Sequence, residues 1–118
     1  MAVERKEATV VSLDYDLNEL KVGEKVFLRH EADNEFDKNA VLAIRAEDMS
    51  TLGYVSASPH TTLSGCVKNT DLVNHIPSKD IPLVAEVISN TEAVSFKNGT
   101  IAPVVRVQVH VVIQSQAV

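Results

Sequence analysis

From Val104 to Ile113 every odd position is apolar, while the even positions include Arg106, Gln108 and His110. A side-chain period of two belongs to a strand with one buried face. Just upstream, Lys97-Asn98-Gly99-Thr100 carries Asn-Gly, the favoured two-residue hairpin turn because both positions tolerate positive φ. The pattern therefore predicts Ala93–Phe96 as the hairpin partner, continuing from an apolar run at Leu83–Ile88. Shorter strands are predicted at Ala8–Leu13, Lys25–Arg29, Ala40–Ile44 and Leu52–Val55, with Val22-Gly23-Glu24 and Glu47–Ser50 as turns and Glu31–Asn39 as a longer loop. One helix is expected after Pro59. Ser58 is a capping residue type, proline suits the first helical position, and Leu63, Cys66 and Val67 fall on one face. Gly65 shortens that helix, and Cys66 on the stripe reads as a small core filler. No internal repeat, linker or low-complexity stretch interrupts the pattern. The fold class expected is all-β with one short helix: an OB-like small β-barrel of about six strands, the helix plugging or crossing one end.

Composition sharpens this picture. The 118 residues suit a single domain, 1–118, and 45% hydrophobic content can fill its core. Aromatic residues are only 4% and tryptophan is absent, so aliphatic side chains must do the filling. Met1-Ala2-Val3-Glu4 does not open a signal peptide, and no run approaches the roughly 20 apolar residues of a membrane helix, so no membrane partner is expected. Cys66 is the single cysteine, which excludes an internal disulfide and a cysteine-built zinc site. The expected location is cytoplasmic, and the sequon Asn98-Gly99-Thr100 then reads as a turn.

Charge is unevenly placed. Between Asp14 and Asp37 eight acids face three bases, which accounts for the whole net charge of −5. There is no basic run, so binding of extended duplex is disfavoured. Asp33-x-Glu35-x-Asp37 opens like a calcium loop, but Lys38 stands where glycine is needed and Ile44 where a glutamate belongs. His30, His60, His75 and His110 lack metal-ligand spacing, and nothing designates a base for Ser64. Neither phosphate-binding glycine loop is present. The chain is expected to bind rather than catalyse, with no metal and no cofactor.

The specific segment is Leu20–Leu63. Its glycine turn at Gly23, apolar strand Val26-Phe27-Leu28, string Asn34-x-Phe36-Asp37-x-Asn39-Ala40, later Gly53-Tyr54 pair and leucine around Leu63 resemble the signature of the HIRAN domain family. The resemblance covers roughly the first two thirds of the chain and implies a small barrel that binds single-stranded DNA, at its free 3′-hydroxyl end. Carried over by motif, Asn34, Phe36 and Asp37 stand at end-binding positions and Tyr54 at a histidine that contacts DNA. Arg5 stands loosely at a phosphate-gripping arginine. Phe36 and Tyr54 would offer stacking faces, and Asp37 an acceptor for a terminal hydroxyl. The sequence departs from the family where Glu35 replaces proline, Lys6 replaces an aromatic and Ala57 falls near an expected lysine. Two other readings stay open. Asn34, Asp37 and Asn39 are residue types that fold a loop on itself, with Phe36 plugging the barrel. Alternatively the acidic surface meets a protein partner through a strand edge.

Overall fold

The valine alternation is realised as the last strand of the barrel. The structure, a computed structural model, describes residues 2–11, 13, 19–78, 80–95 and 98–113. Within them the chain forms β1 (Ala2–Val11), β2 (Lys25–His30), β3 (Val41–Arg45), β4 (Thr51–Val55), α1 (Asn69–Val73), β5 (Leu83–Ser95) and β6 (Ile101–Ile113). All neighbouring strands are antiparallel, and the sheet closes in the order β1-β4-β3-β2-β5-β6, with β6 returning to β1. This is the mostly-β barrel with one short helix that the pattern predicts. On β6, Val105, Val107, Val109 and Val111 are at most 2% exposed and meet Val10, Leu28, Leu52 and Val87 in one core cluster. Leu72 of α1 joins that cluster with no exposed surface. No aromatic residue is among the buried core positions described, so the core is aliphatic as the composition requires.

Several boundaries differ from the expectation. The first strand starts at Ala2, well before Ala8, because Ala2 to Val10 pair one by one with Ile113 to Val105. Cross-strand pairing there overrides the weak strand preference of Glu4-Arg5-Lys6-Glu7. β5 runs unbroken from Leu83 to Ser95, its register against β6 shifting between Val87 and Ser89 and again before Glu92, as bulges do. The two-residue hairpin turn is not formed in the expected register. Ser95 pairs with Ile101, whereas a turn closed by Lys97 and Thr100 would set Ser95 against Ala102. Asn98 Oδ1 instead accepts the Thr100 N–H at 2.9 Å, with Gly99 at φ 85°, a local side-chain turn that competes with the ladder. Ser12, Phe96 and Lys97, which entered the expected strands and turn, lie outside the described residues.

The helix is also displaced. Residues 58–66 form turns, and α1 begins ten residues after Pro59. The hydroxyls explain this. Ser56 Oγ and Thr61 Oγ1 are 2.6 Å apart, and Thr62 Oγ1 donates to the Ser58 carbonyl at 2.7 Å, which engages locally the groups a helix would order. Gly65 takes φ 85°, outside the helical region. The segment is then held to the barrel: Leu63 N–H donates to Thr9 Oγ1 at 3.0 Å, and Val67 bridges Ala8 in parallel.

Arg106, on the outer side of β6, fastens the same loop. Its Nε and Nη2 bind both oxygens of Glu92, at 2.9 and 3.0 Å, and Nη1 reaches Glu7 Oε1 at 2.9 Å and the Ser64 carbonyl at 3.1 Å. Cys66 sits beneath this fork, where burial pushes its thiol up, consistent with a packing role. Arg45 plays a similar part at the other side of the sheet, gathering Glu24, Glu47 and Asp48.

Two outcomes test this account. Leu72→Ala should lower stability by about 2–5 kcal/mol, while Val84→Ala, at a 54% exposed outer position, should change it by less than about 0.5 kcal/mol, as read from urea midpoints at constant slope. The Arg106 guanidinium holds the Glu92 carboxyl below its usual range, and Arg45 does the same for Glu24. A depressed carboxyl stabilises the fold above the ordinary glutamate range, and that contribution is lost as pH falls through the lowered values. Thermal melts on acidification should show that loss, and Glu92→Gln should flatten part of it.

Candidate nucleic-acid interface

The loop joining β2 to β3 is built from its own side chains. Glu31 N–H donates to the Ala40 carbonyl at 2.8 Å, closing the loop, and Asn34 N–H donates to the Glu31 carbonyl at 3.1 Å. Asn34 Oδ1 accepts the N–H groups of Phe36 and Asp37 at 2.9 and 3.0 Å, while its Nδ2 donates to Glu31 Oε1 at 3.0 Å. Asp37 Oδ1 accepts the Asn39 N–H at 2.9 Å. The self-folding role of Asn34 and Asp37 is therefore real. The plug role of Phe36 is not: the tight turn around Asn34 Oδ1 leaves its ring 95% exposed. A benzyl group so fully hydrated contributes nothing to the core.

Tyr54 reaches the loop from β4. Its hydroxyl donates to Glu31 Oε1 at 2.8 Å, so one carboxylate oxygen serves both Tyr54 and Asn34. Phe36 and Tyr54 then share a groove of about 500 Å³ whose wall also includes Asn34, Asp37 and Asn69, with an apolar side of Val11, Ala40, Val55 and Ala57. Four of the five sequence-expected residues thus meet at one site. Arg5 does not: on β1 it pairs with His110 of β6, is ion-paired with Glu7 at 2.9 Å, and lies about 20 Å along the strand from Val11.

Asn69 was not foreseen. It opens α1 and is 2% exposed, and its Nδ2 donates to Asp37 Oδ2 at 2.9 Å and to the Asn39 carbonyl at 3.0 Å. Its own N–H donates to the Ser56 carbonyl at 3.2 Å. The helix thereby fixes the Asp37 carboxylate from the side opposite its own loop. No sequence signal marks Asn69, since it lies in the polar run Lys68-Asn69-Thr70-Asp71, 32 positions from Asp37.

Among the described residues, Asp37 is the one charged member of the groove wall. Lys38 and Lys68 are exposed and each adjoins a wall residue in the chain, so cationic groups are near but do not line the groove. Of the acidic segment, Glu24 is ion-paired with Arg45 and Lys25 with Glu86, whereas Asp33 and Glu35 are exposed beside the loop. Asp14 and Asp16 lie outside the described residues. The arrangement offers stacking faces and hydrogen-bond acceptors rather than a phosphate clamp.

The hydrogen bond to Glu31, aided by burial, pushes the Tyr54 phenol above its ordinary range near pH 10. Ring-labelled tyrosine NMR should show Tyr54 titrating above the ordinary phenol range, and Glu31→Gln should bring it down. The sign for stability follows: the contribution of protonated Tyr54 is present below the ordinary phenol value and lost as pH rises through the raised one.

A family model described as HIRAN domain matches residues 3–115. No curated protein and no solved structure matches the chain. The family match spans every strand of the barrel and the groove-forming loop alike, and on that basis the chain belongs to the HIRAN domain family.

Proposed function

We propose that this HIRAN domain binds single-stranded DNA at its free 3′-hydroxyl end and carries out no chemistry on it. HIRAN domains are generally nucleic-acid-binding modules. The observation that carries the finer reading is the shared groove, in which a 95% exposed phenylalanine, a tyrosine and a carboxylate form one wall. A terminal base stacks on Phe36, whose exposure has no other use in the fold. Asp37 accepts the terminal hydroxyl. Its two oxygens offer about four lone-pair sites, and the loop and Asn69 occupy two of them. An internal phosphodiester lacks that donor, and a 3′-phosphate brings repulsive charge against the carboxylate. Arg5, distant from the groove wall, then meets backbone further along the strand or not at all.

Fluorescence anisotropy with short strands ending in a 3′-hydroxyl or a 3′-phosphate tests the reading. The hydroxyl end should bind more tightly, with a log–log salt slope of roughly −1 to −3 because few cations adjoin the groove. Phe36→Ala should weaken both strands alike by about 1–3 kcal/mol, the usual worth of one stacked base. Asp37→Ala should abolish the end preference, with a thermal melt confirming that the loop still folds. Equal binding of the two ends, or no binding in low salt, overturns the proposal and leaves the acidic loop as a surface for a protein partner.

A further inference from the structure

We infer that the DNA behind its terminal nucleotide crosses the outer face of β4, β3 and β2, with a phosphate held by Arg29 and a base lodged in a second groove against Phe27 and Met49. This rests on the end-binding reading above and adds the path of the rest of the DNA.

The pleat decides which side chains face outward. Val26, Leu28, Val41 and Ala43 have no exposed surface and belong to the core cluster, so the alternate residues Phe27, Arg29, Leu42 and Ile44 stand on the outside of the barrel. Cross-strand pairing sets Tyr54 beside Leu42 and Leu42 beside Arg29, one row across the three strands. Two interstrand spacings, about 10 Å, separate the backbones of Tyr54 and Arg29. The neighbouring row sets Ile44 beside Phe27 and Phe27 beside Val84. Phe27, Arg29 and Ile44 then line a groove of about 330 Å³ with Met49, Asp80 and Pro82. Tyr54 belongs to the end-binding groove and Arg29 to this second one, so a single row of the sheet joins the two.

Charge selects the occupant. Of the four arginines, Arg5 is held by Glu7, Arg45 by Glu24 and Arg106 by Glu92. Arg29 is exposed and has no carboxylate within ion-pair distance among the described residues, although Asp80 shares its groove. A free guanidinium offers a planar fork of donors that matches a phosphodiester. Met49 supplies a second, independent sign. Among the described residues it is the one non-glycine with positive φ, 61°, in a turn where its N–H donates to the Arg45 carbonyl at 2.8 Å and Arg45 N–H to the Ser50 carbonyl at 2.8 Å. That unfavourable backbone sets a thioether side chain, 61% exposed, at the edge of the groove. Strained residues and exposed apolar surface coincide where ligands bind. An apolar slot beside an unpaired cation matches the alternation of base and phosphate along single-stranded DNA.

The test compares an unlabelled thymidine dinucleotide with an octanucleotide, both ending in a 3′-hydroxyl, as competitors of one labelled octanucleotide at several salt concentrations. The octanucleotide should bind more tightly by about five- to a hundredfold, the worth of one further stacked base. Arg29→Gln should weaken the octanucleotide by about three- to tenfold and flatten its log–log salt slope by about one, leaving the dinucleotide unchanged. Arg5→Gln, which removes the same charge from the far part of β1, should change neither. Met49→Gly relieves the strained φ, so it should keep or raise the melting temperature while it weakens the octanucleotide. Equal binding of the two lengths, or an octanucleotide indifferent to Arg29→Gln, overturns the path, leaves end binding standing and frees the outer apolar face for a protein partner. Loss on Arg5→Gln alone also overturns it and sends the DNA along β1. Absence of binding by either length overturns both readings.

Discussion

The structure depends on the ladder that joins its first strand to its last. Ala2 to Val10 run against Ile113 to Val105, and this pairing of the first strand with the last completes the ring of six strands. Closure removes the unpaired strand edges that a flat sheet of this size would expose, and it gives the β6 valines an interior to fill. It also sets the groove. On its other edge β1 pairs Val10 with Val55 and Val11 with Tyr54, and Val11, Tyr54 and Val55 are all wall residues. The same strand that seals the barrel thus carries one side of the site. Because the paired residues stand about a hundred positions apart in the chain, the ladder is entropically the most demanding contact in the fold to form.

Where the chain alternates strongly, its strands were legible. Val104–Ile113 and Lys25–Arg29 contain residues whose neighbours two places away share a face, and these became β6 and β2 with little change. What was hidden lies where long-range pairing decides. Ala2–Glu7 reads as a polar, charged stretch, yet it is strand because β6 is there to pair with it. The helix was hidden for a different reason. Ser58-Pro59 is a sound start signal, but Ser56, Thr61 and Thr62 satisfy one another locally, and Thr9 and Arg106 then tie the loop down before a helix is possible.

The site divides along the same line. Asn34, Phe36 and Asp37 are contiguous, so a short motif sufficed to find them, and Tyr54 followed from the Gly53-Tyr54 pair. Glu31 and Asn69 were not singled out, although one binds Tyr54 to the loop and the other binds Asp37 to the helix. Their roles arise from spatial neighbours 23 and 32 positions away, which no local pattern encodes. The residues legible from the motif are those offered to a ligand, and the residues hidden from it are those that hold them in place.

Antiparallel pairing of Ala2 with Ile113 has a consequence for how the barrel could be joined to other chains. The two outermost paired residues stand about one interstrand spacing apart, roughly 5 Å, and on the same rim. A fold whose two ends are neighbours can be grafted into a surface turn of a larger protein without prising that turn open, because the gap it must bridge matches the gap the host already has. Such a graft would hold the barrel by two covalent tethers rather than one, restricting how far it swivels. The direction in which Phe36 and its groove face would then be set by the host, a geometric control that a barrel hung from a single end does not possess.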